Sequence, residues 1–444
     1  MIISTVTKRL KELILFTIPL VIGQVGQMLF NVGDIFVAGR YSTEAVSSIG
    51  VASGIVAPFI MIGISTLFSV SSITARMRGE EVDPHENGVW GSSLSLGLIL
   101  ATVICTALLV FTFFVKHIGL TPEIVPLVET YLFWVNISIL PALIFQVAKE
   151  YLQAFDKTIF ANVLIILMNI TNLAMNYLLM FGYGPIPEMG IKGAAIATVI
   201  TRFLLAFIII IYAYKKLPLE IHFKKESFKE LIKLGLPVGM GTFIEVLMFS
   251  TVTVLIGKMS VVASASHNIV LTIAGLTFMV PLAINGTAGV KVSYALGRRD
   301  RELIKNYAFG CVFMAEAYML ITASLYFLFP NQIMSLFTSD PEVIKYGAAL
   351  FLYVALFQIP DGLQVTMWGI LRGLGISKLP MLLSFCGYWL IAIPVGLLLA
   401  FKFEMEAAGL WAGLAVGLTI ASTILTYLFK RRLHELKMIL DYRE

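Results

Sequence analysis

Four carboxylates, Asp34, Glu245, Glu316 and Asp361, stand inside long apolar runs of the chain. A charged side chain near the middle of a bilayer costs at least ~2.5 kcal/mol on insertion scales, so such a group is functional or paired. No Lys or Arg falls deep in any apolar run to pair with them. Each acid is therefore expected to be protonated, to hold a cation or to face water. At ~1.5 Å per helical residue, Glu245 lies about 18 Å from Lys233, and Asp361 lies about 16 Å from Arg372. Two carboxylates at similar depth can share one cation. Asp34 is about 9 Å from Arg40, nearer the other end of its run. Asn172 and Asn176 are spaced i, i+4, hence on one helix face, and fall in the same outer half. Asp34, Asn172 and Asn176 read as a second polar cluster.

The elements that position these groups follow from composition. The chain has 444 residues, 58% hydrophobic and 13% charged, with mean hydropathy +0.90. Soluble domains carry roughly 25% charge, and disordered chains carry more charge and less hydrophobicity, so both classes are excluded. Apolar runs give twelve predicted membrane helices: 13–39, 46–71, 89–115, 124–148, 159–182, 190–213, 230–257, 263–290, 306–329, 343–370, 379–401 and 405–429. The expected fold is an all-α integral membrane protein. The first run is too long for a signal-peptide core and reads as a retained helix. Lys and Arg alternate strictly between the connecting segments, 24 on one side and six on the other, with Arg202 and Lys233 in helix ends. That bias places both termini in the cytoplasm and the chain in the cytoplasmic (inner) membrane. The net charge of +5 then concerns orientation, not nucleic acid. The three cysteines, Cys105, Cys311 and Cys386, lie in apolar stretches and suggest neither disulfides nor a zinc site.

The chain repeats itself. A shift of 218 lays ELIKLGLP (Glu230 to Pro237) on ELILFTIP (Glu12 to Pro19), Gly257 on Gly39 and Gly297 on Gly79. A shift of 219 pairs Pro341-Glu342 with Pro122-Glu123, Pro360 with Pro141 and Gly409 with Gly190. Six helices return the chain to its starting side, so the repeat is parallel: two six-helix bundles related by an axis along the membrane normal. The expected organisation is an N-terminal lobe 1–213, a basic cytoplasmic linker 214–229 and a C-terminal lobe 230–444. The polar groups do not repeat. Glu245 falls on Gln27, Asp361 on Ala142, Asp34 on Val252, and Asn172 and Asn176 on Ile391 and Val395. Polar residues needed to fold the repeat would tend to recur, so their uniqueness points to function. Gln27 joins the weaker candidates as the counterpart of Glu245, and so does Glu316, either a protonated helix-packing residue or one that faces an interface between subunits. The stripe Gly409, Gly413, Gly417 reads as tight helix packing, His267 as a satisfied structural histidine, and Trp90, Trp134 and Trp389 as interface belt residues.

No G-x-x-x-x-G-K-[ST] occurs; Gly257-Lys258 is followed by Met259. Nor is there an H-E-x-x-H, a G-x-S-x-G or a Cys/His ligand cluster. A direct ATP engine and a membrane hydrolase are disfavoured, and no filter loop or charge ring suggests a channel. The expectation is a non-enzymatic secondary transporter without a cofactor, driven by an ion gradient. A non-transporting membrane receptor or enzyme is the remaining alternative outside transport.

Three runs carry a family resemblance: GDIFVAGRYS (Gly33 to Ser42), FIEVLMFS (Phe243 to Ser250) and PDGLQVTMWGILRGLG (Pro360 to Gly375). With SSITARMRGEE and the six-plus-six repeat, the chain resembles the multidrug and toxic compound extrusion (MATE) family, closest to its bacterial NorM-type branch. The resemblance implies a MATE/MOP-type fold and a multidrug antiporter that exports hydrophobic organic cations in exchange for Na⁺ or H⁺ by alternating access. It implies that Glu245 and Asp361 bind the coupling cation, with Na⁺ as the metal ion. It also implies that Asp34, Asn172 and Asn176 form the polar site of the N-terminal lobe. Gln364, within the third run, is a weaker candidate. Members of the branch can carry a Tyr one turn before the acid of the tenth helix; here that position is Phe357, which has no hydroxyl. Na⁺ and H⁺ both stay open. The expected partners are small organic cations and the lipid bilayer, with the protein a monomer. A lipid-linked oligosaccharide flippase of the same superfamily is the runner-up; it would need a basic cavity for pyrophosphate.

Overall fold

The computed structural model describes residues 2–117 and 119–441; Arg443, counted above among the basic residues, lies outside them. Twelve helices among the described residues are long and apolar enough to cross a bilayer. They are α1 (Lys8–Tyr41), α2 (Thr43–Gly79), α3 (Val89–Thr112), α4 (Val125–Ala154), α5 (Ile159–Phe181), α6 (Gly190–Lys216), α7 (Lys225–Gly257), α8 (Val261–Gly297), α9 (Arg301–Leu328), α10 (Pro341–Gly373), α11 (Lys378–Lys402) and α12 (Glu406–Leu436). Each coincides with one predicted run. Several extend beyond it at the Lys/Arg-rich end: α2 reaches Gly79 and α8 reaches Gly297. A helix continues into water wherever its residues permit, whereas hydropathy marks only the part that lipid favours. Arg76, Arg78, Lys149, Lys291 and Arg372 therefore sit on helices and not in connecting loops.

Local chemistry sets the junctions. Ser42, between α1 and α2, has φ −163° and ψ 161°, and its side chain accepts from the Ala45 N–H. Ser260, between α7 and α8, has φ −159° and ψ 161° and accepts from the Ala263 N–H. The two serines are 218 residues apart, the offset of the repeat, so the helix cap is duplicated with the scaffold. The glycine stripe of α12 packs as expected. A Cβ at Gly413 would run into the backbone of Gly396, and one at Gly417 into the Gly387 carbonyl, both on α11. Small residues let these two backbones meet.

The chain divides into two compact units. The first unit comprises Ile22–Arg78 and Val82–Gly239. Its apolar core includes Trp90, Tyr151, Leu143 and Ile49, all fully buried. Trp90 is thus a core residue and not an interface belt residue; its Nε1–H donates to the Tyr214 hydroxyl at 3.4 Å. The second unit comprises the start of α1 as far as Val21, the stretch Gly79–Glu81, and the chain from Met240 onward. There the start of α1 is held by polar contacts. Lys291 Nζ donates to Glu12 Oε1 at 3.1 Å, the Tyr307 hydroxyl donates to the same oxygen at 2.9 Å, and Thr17 meets Thr287 at 2.8 Å. His267 is satisfied on both ring nitrogens, by Trp411 Nε1 at 3.3 Å and Thr253 Oγ1 at 3.0 Å. That is the structural role its sequence context suggested.

Candidate functional site

Each unit encloses its own polar cluster. In the first unit Asp34, only 3% exposed, projects from α1 into a cage of donors. Asn176 Nδ2 on α5 donates to its Oδ1 at 2.5 Å. The Tyr131 hydroxyl on α4 and the Thr198 hydroxyl on α6 donate to its Oδ2 at 3.1 and 3.3 Å. Asn176 Nδ2 also reaches Asn172 Oδ1 at 3.2 Å. The i, i+4 spacing thus places both amides beside Asp34. Among the described residues, Asn172 Nδ2 and Asn176 Oδ1 are buried without a hydrogen-bond partner. An unsatisfied buried amide costs roughly 1–3 kcal/mol, a deficit that a ligand or an ordered water would relieve.

Asp34 opens onto a cavity of about 150 Å³ lined also by Gln27, Ser53, Tyr131, Gln146, Thr198 and Arg202. Apolar walls come from Phe30, Ile60, Met61 and Phe145. Drug-sized sites run from roughly 300 Å³, so this cavity suits water and small ions. Arg202 corrects the expectation that no cation lies near the intramembrane acids. Its Nη1 donates to Ser138 Oγ at 2.8 Å, at the break in α4, and it lines the same cavity as Asp34. Placed 12 residues into α6, it read from sequence as a helix-end residue. Tyr131, Thr198 and Arg202 fall on Leu350, Gly417 and Ala421 under the 219 shift. The partners of Asp34 are as unduplicated as Asp34 itself.

In the second unit two glutamates lie within electrostatic reach of Asp361. Asp361 on α10 is 5% exposed and near enough to Glu245 and Glu316 for the carboxylates to repel. The Tyr388 hydroxyl on α11 donates to Glu245 Oε1 at 3.1 Å. Tyr388 is tied to Gln364, whose Nε2 lies 2.9 Å from the hydroxyl and 3.3 Å from Ser384 Oγ. Trp368 Nε1 donates to the same serine at 3.1 Å. Among the described residues no hydrogen-bond donor reaches Asp361. Glu316 Oε1 is buried without a partner, and a Cβ at Gly362 would lie 3.3 Å from it. Glu316 therefore presses against α10 beside Asp361.

Phe357 stands apart. It packs edge-on against Trp411, ring centroids 5.5 Å apart, and against Phe249 at 6.1 Å. The hydroxyl that bonds Glu245 comes from Tyr388 on α11, which no spacing within α10 could reveal. One buried acid of a membrane helix also escaped the sequence. Glu150, 3% exposed, lies inside α4; between Lys149 and Lys157 it read as part of an aqueous end.

Twelve membrane helices and two polar clusters, one built on Asp34 and one on Asp361 with Glu245, define a multi-pass membrane protein with small polar sites at membrane depth. Comparison with known proteins gives the family. The sequence model described as MatE matches residues 19–178 and 237–398, one segment in each repeat, and the chain belongs to that family. Curated relatives include a probable multidrug resistance protein NorM from Xylella fastidiosa (strain 9a5c), 28% identical over 438 residues, covering 97% of this chain and 93% of that protein. Another of the same name, from Streptococcus pneumoniae, is 28% identical over 442 residues, covering 96% and 97%. Among solved structures, the Vibrio cholerae MATE transporter VcmN in the bent form superposes with TM-score 0.89 at 18% identity, covering 98% of this chain and 99% of that one. A MOP superfamily transporter from Pyrococcus furiosus, described as having a binding pocket of reversed polarity, gives 0.88 at 18% identity, with 96% of each chain covered. At these identities the structures speak for the fold alone.

Proposed function

We propose that this protein is a secondary multidrug antiporter that exports hydrophobic organic cations in exchange for Na⁺ or H⁺. The observation that carries the reading is the presence, in each unit, of a polar cluster built on a buried carboxylate and absent from its repeat counterpart. The names of the curated relatives, probable multidrug resistance proteins, agree with it. In this reading the six-helix halves 1–213 and 230–444, joined by 214–229, alternate access as a monomer. Both termini face the cytoplasm, and the chain resides in the cytoplasmic membrane. Glu245 and Asp361, with Glu316 and Gln364 close by, hold the coupling cation. Asp34, Asn172 and Asn176 form the second site, with Gln27 in its cavity.

Exchange runs by competition. From the outside, Na⁺ or H⁺ neutralises the repelling carboxylates and an organic cation leaves. Inside, the ion departs and a hydrophobic cation replaces it. Apolar walls supply affinity at roughly 25 cal/mol per Å² buried, and the carboxylates supply the preference for positive charge. One monovalent ion against one monovalent cation moves no net charge, and the drive is ~1.4 kcal/mol per tenfold ion gradient. Two ions would add ~2.3 kcal/mol per 100 mV; transport indifferent to a clamped potential would eliminate that stoichiometry.

The test is uptake of a fluorescent organic cation into proteoliposomes, with Na⁺ and pH gradients imposed separately. A response to either gradient supports antiport and identifies the ion. With correct insertion shown, silence under both overturns it and brings the lipid-linked oligosaccharide flippase forward.

A further inference from the structure

The cavity beside Asp34 is long. On α4 alone its lining runs from Tyr131 to Gln146, fifteen residues or roughly 22 Å along a helix. Asp34, Tyr131 and Thr198 mark one end, and Gln146 marks the other. Its volume of about 150 Å³ holds several ordered waters, given that one needs only ~10–15 Å³ of such space. At the Gln146 end the polar chain continues into the protein. Gln146 Nε2 donates to Glu150 Oε1 at 2.9 Å, and Ser71 Oγ on α2 donates to Glu150 Oε2 at 2.5 Å. Ser71, Gln146 and Glu150 are each 3% exposed or less. Glu150 lies four residues before the end of α4, about 6 Å from the Lys/Arg-rich side.

The geometry points to Glu150 as a second proton station, through which Asp34 exchanges protons with the Lys/Arg-rich side of the membrane. The inference rests on the antiport reading and its orientation, and it assigns proton handling to the first unit. Both Glu150 oxygens accept hydrogen bonds, the arrangement of a carboxylate. The site also accommodates the acid. Ser71 Oγ has a second acceptor, the Phe68 carbonyl at 3.2 Å. When Glu150 gains a proton on Oε2, Ser71 turns its own proton to Phe68 and accepts from Glu150. No donor is lost and no proton is created. Gln146 is the gate, because an amide orients water but does not relay protons. When its N–H₂ swings off Oε1, a cavity water takes its place and exchanges the proton there; rotation of the carboxyl group about Cγ–Cδ then brings the protonated oxygen to Ser71, and the reverse sequence releases it.

Charged groups surround this point. Lys149, next along α4, is buried and its charge acts on Glu150. Arg78 on α2 bonds the Ala154 carbonyl and Asp156 at the end of α4, and Arg76 pairs with Glu230 at 2.7 Å. Nearby, the Tyr151 hydroxyl meets His85 Nδ1 at 3.1 Å. Glu150 is the acid in this group that also communicates with the cavity through Gln146.

Full-length protein in proteoliposomes, with pH set independently on each side, tests the relay. Glu150→Gln should lower turnover at least about tenfold, a modest share of what a positioned proton carrier contributes. It should also flatten the dependence on pH at the Lys/Arg-rich side, while affinity for the organic cation stays within about twofold of wild type, as expected of a residue remote from the substrate. Glu150→Asp should restore much of the turnover, and Ser71→Ala should shift the pH profile without abolishing transport. Wild-type turnover and pH profile in Glu150→Gln would overturn the relay. So would wild-type transport driven by Na⁺ and indifferent to pH, which would leave the antiport reading standing. A readout independent of substrate is pH-difference infrared spectroscopy. A protonated-carboxyl band lost in Glu150→Gln and displaced in Ser71→Ala supports the station even if no organic cation is carried. A spectrum unchanged in both variants overturns it.

Discussion

The two units solve the problem of a carboxylate at membrane depth in opposite ways. The first surrounds Asp34 with fixed donors from three helices, Asn176, Tyr131 and Thr198, and sets Arg202 in the same cavity. The second places Asp361 near Glu245 and Glu316 and gives the group one hydroxyl donor, Tyr388 on Glu245. Donors at fixed distances satisfy a charge within the protein. Carboxylates brought together without matching donors store repulsion that a proton or a cation relieves. The first cluster is internally complete apart from two amide atoms, whereas the second is incomplete by construction. A scaffold duplicated down to its serine caps therefore carries two chemically different sites.

The comparison can be broken most severely at the acids of the second unit. Glu245→Gln or Asp361→Asn should abolish coupled export while membrane insertion stays intact; full activity in either would remove the second cluster from the mechanism. Asp34→Asn comes next. It exchanges charge-assisted hydrogen bonds, worth roughly 1.5–3 kcal/mol each, for neutral ones. Turnover should fall at least about tenfold, measured in the same vesicles.

A scaffold variant sharpens the contrast between site and frame. Gly413→Leu forces side-chain atoms into the Gly396 backbone and should lower thermal stability in detergent by about 1–3 kcal/mol. In the fraction that remains folded, coupling-ion affinity should be unchanged. Tyr388→Phe removes the hydroxyl donor on Glu245, worth about 1 kcal/mol, so coupling-ion affinity should change about fivefold. Tyr131→Phe should do less, because Asn176 and Thr198 still hold Asp34. An equal effect of the two would contradict the difference drawn here. The smallest expected effect tests the symmetry itself. Ser42→Ala and Ser260→Ala should each cost about 1 kcal/mol of stability, to a similar extent.

Much of the fold was legible. Lipid favours long apolar helices because every backbone polar group must be satisfied internally, so hydropathy located all twelve and a constant offset exposed the repeat. The main acids were legible for the same reason, since a carboxylate in an apolar run stands out against its surroundings. Asn172 and Asn176 were legible through helical periodicity, which places i and i+4 on one face. Helix ends were less so: Glu150 and Trp90 lie where helices pass from lipid into packed protein, and polarity there reads as exposure.

The residues that complete the sites belong to the tertiary structure. Tyr131, Thr198 and Arg202 reach the cavity of Asp34 from helices 97 to 168 residues away in sequence. Tyr388 brings its hydroxyl to Glu245 from a different helix, whereas Phe357 on α10 has none. The sequence determined which groups are costly to leave in lipid, because burial cost is a property of each side chain and its immediate run. Only the packing of helices decided which of those groups share a partner, because hydrogen bonds and repulsion depend on distances of a few ångströms that no spacing along the chain encodes.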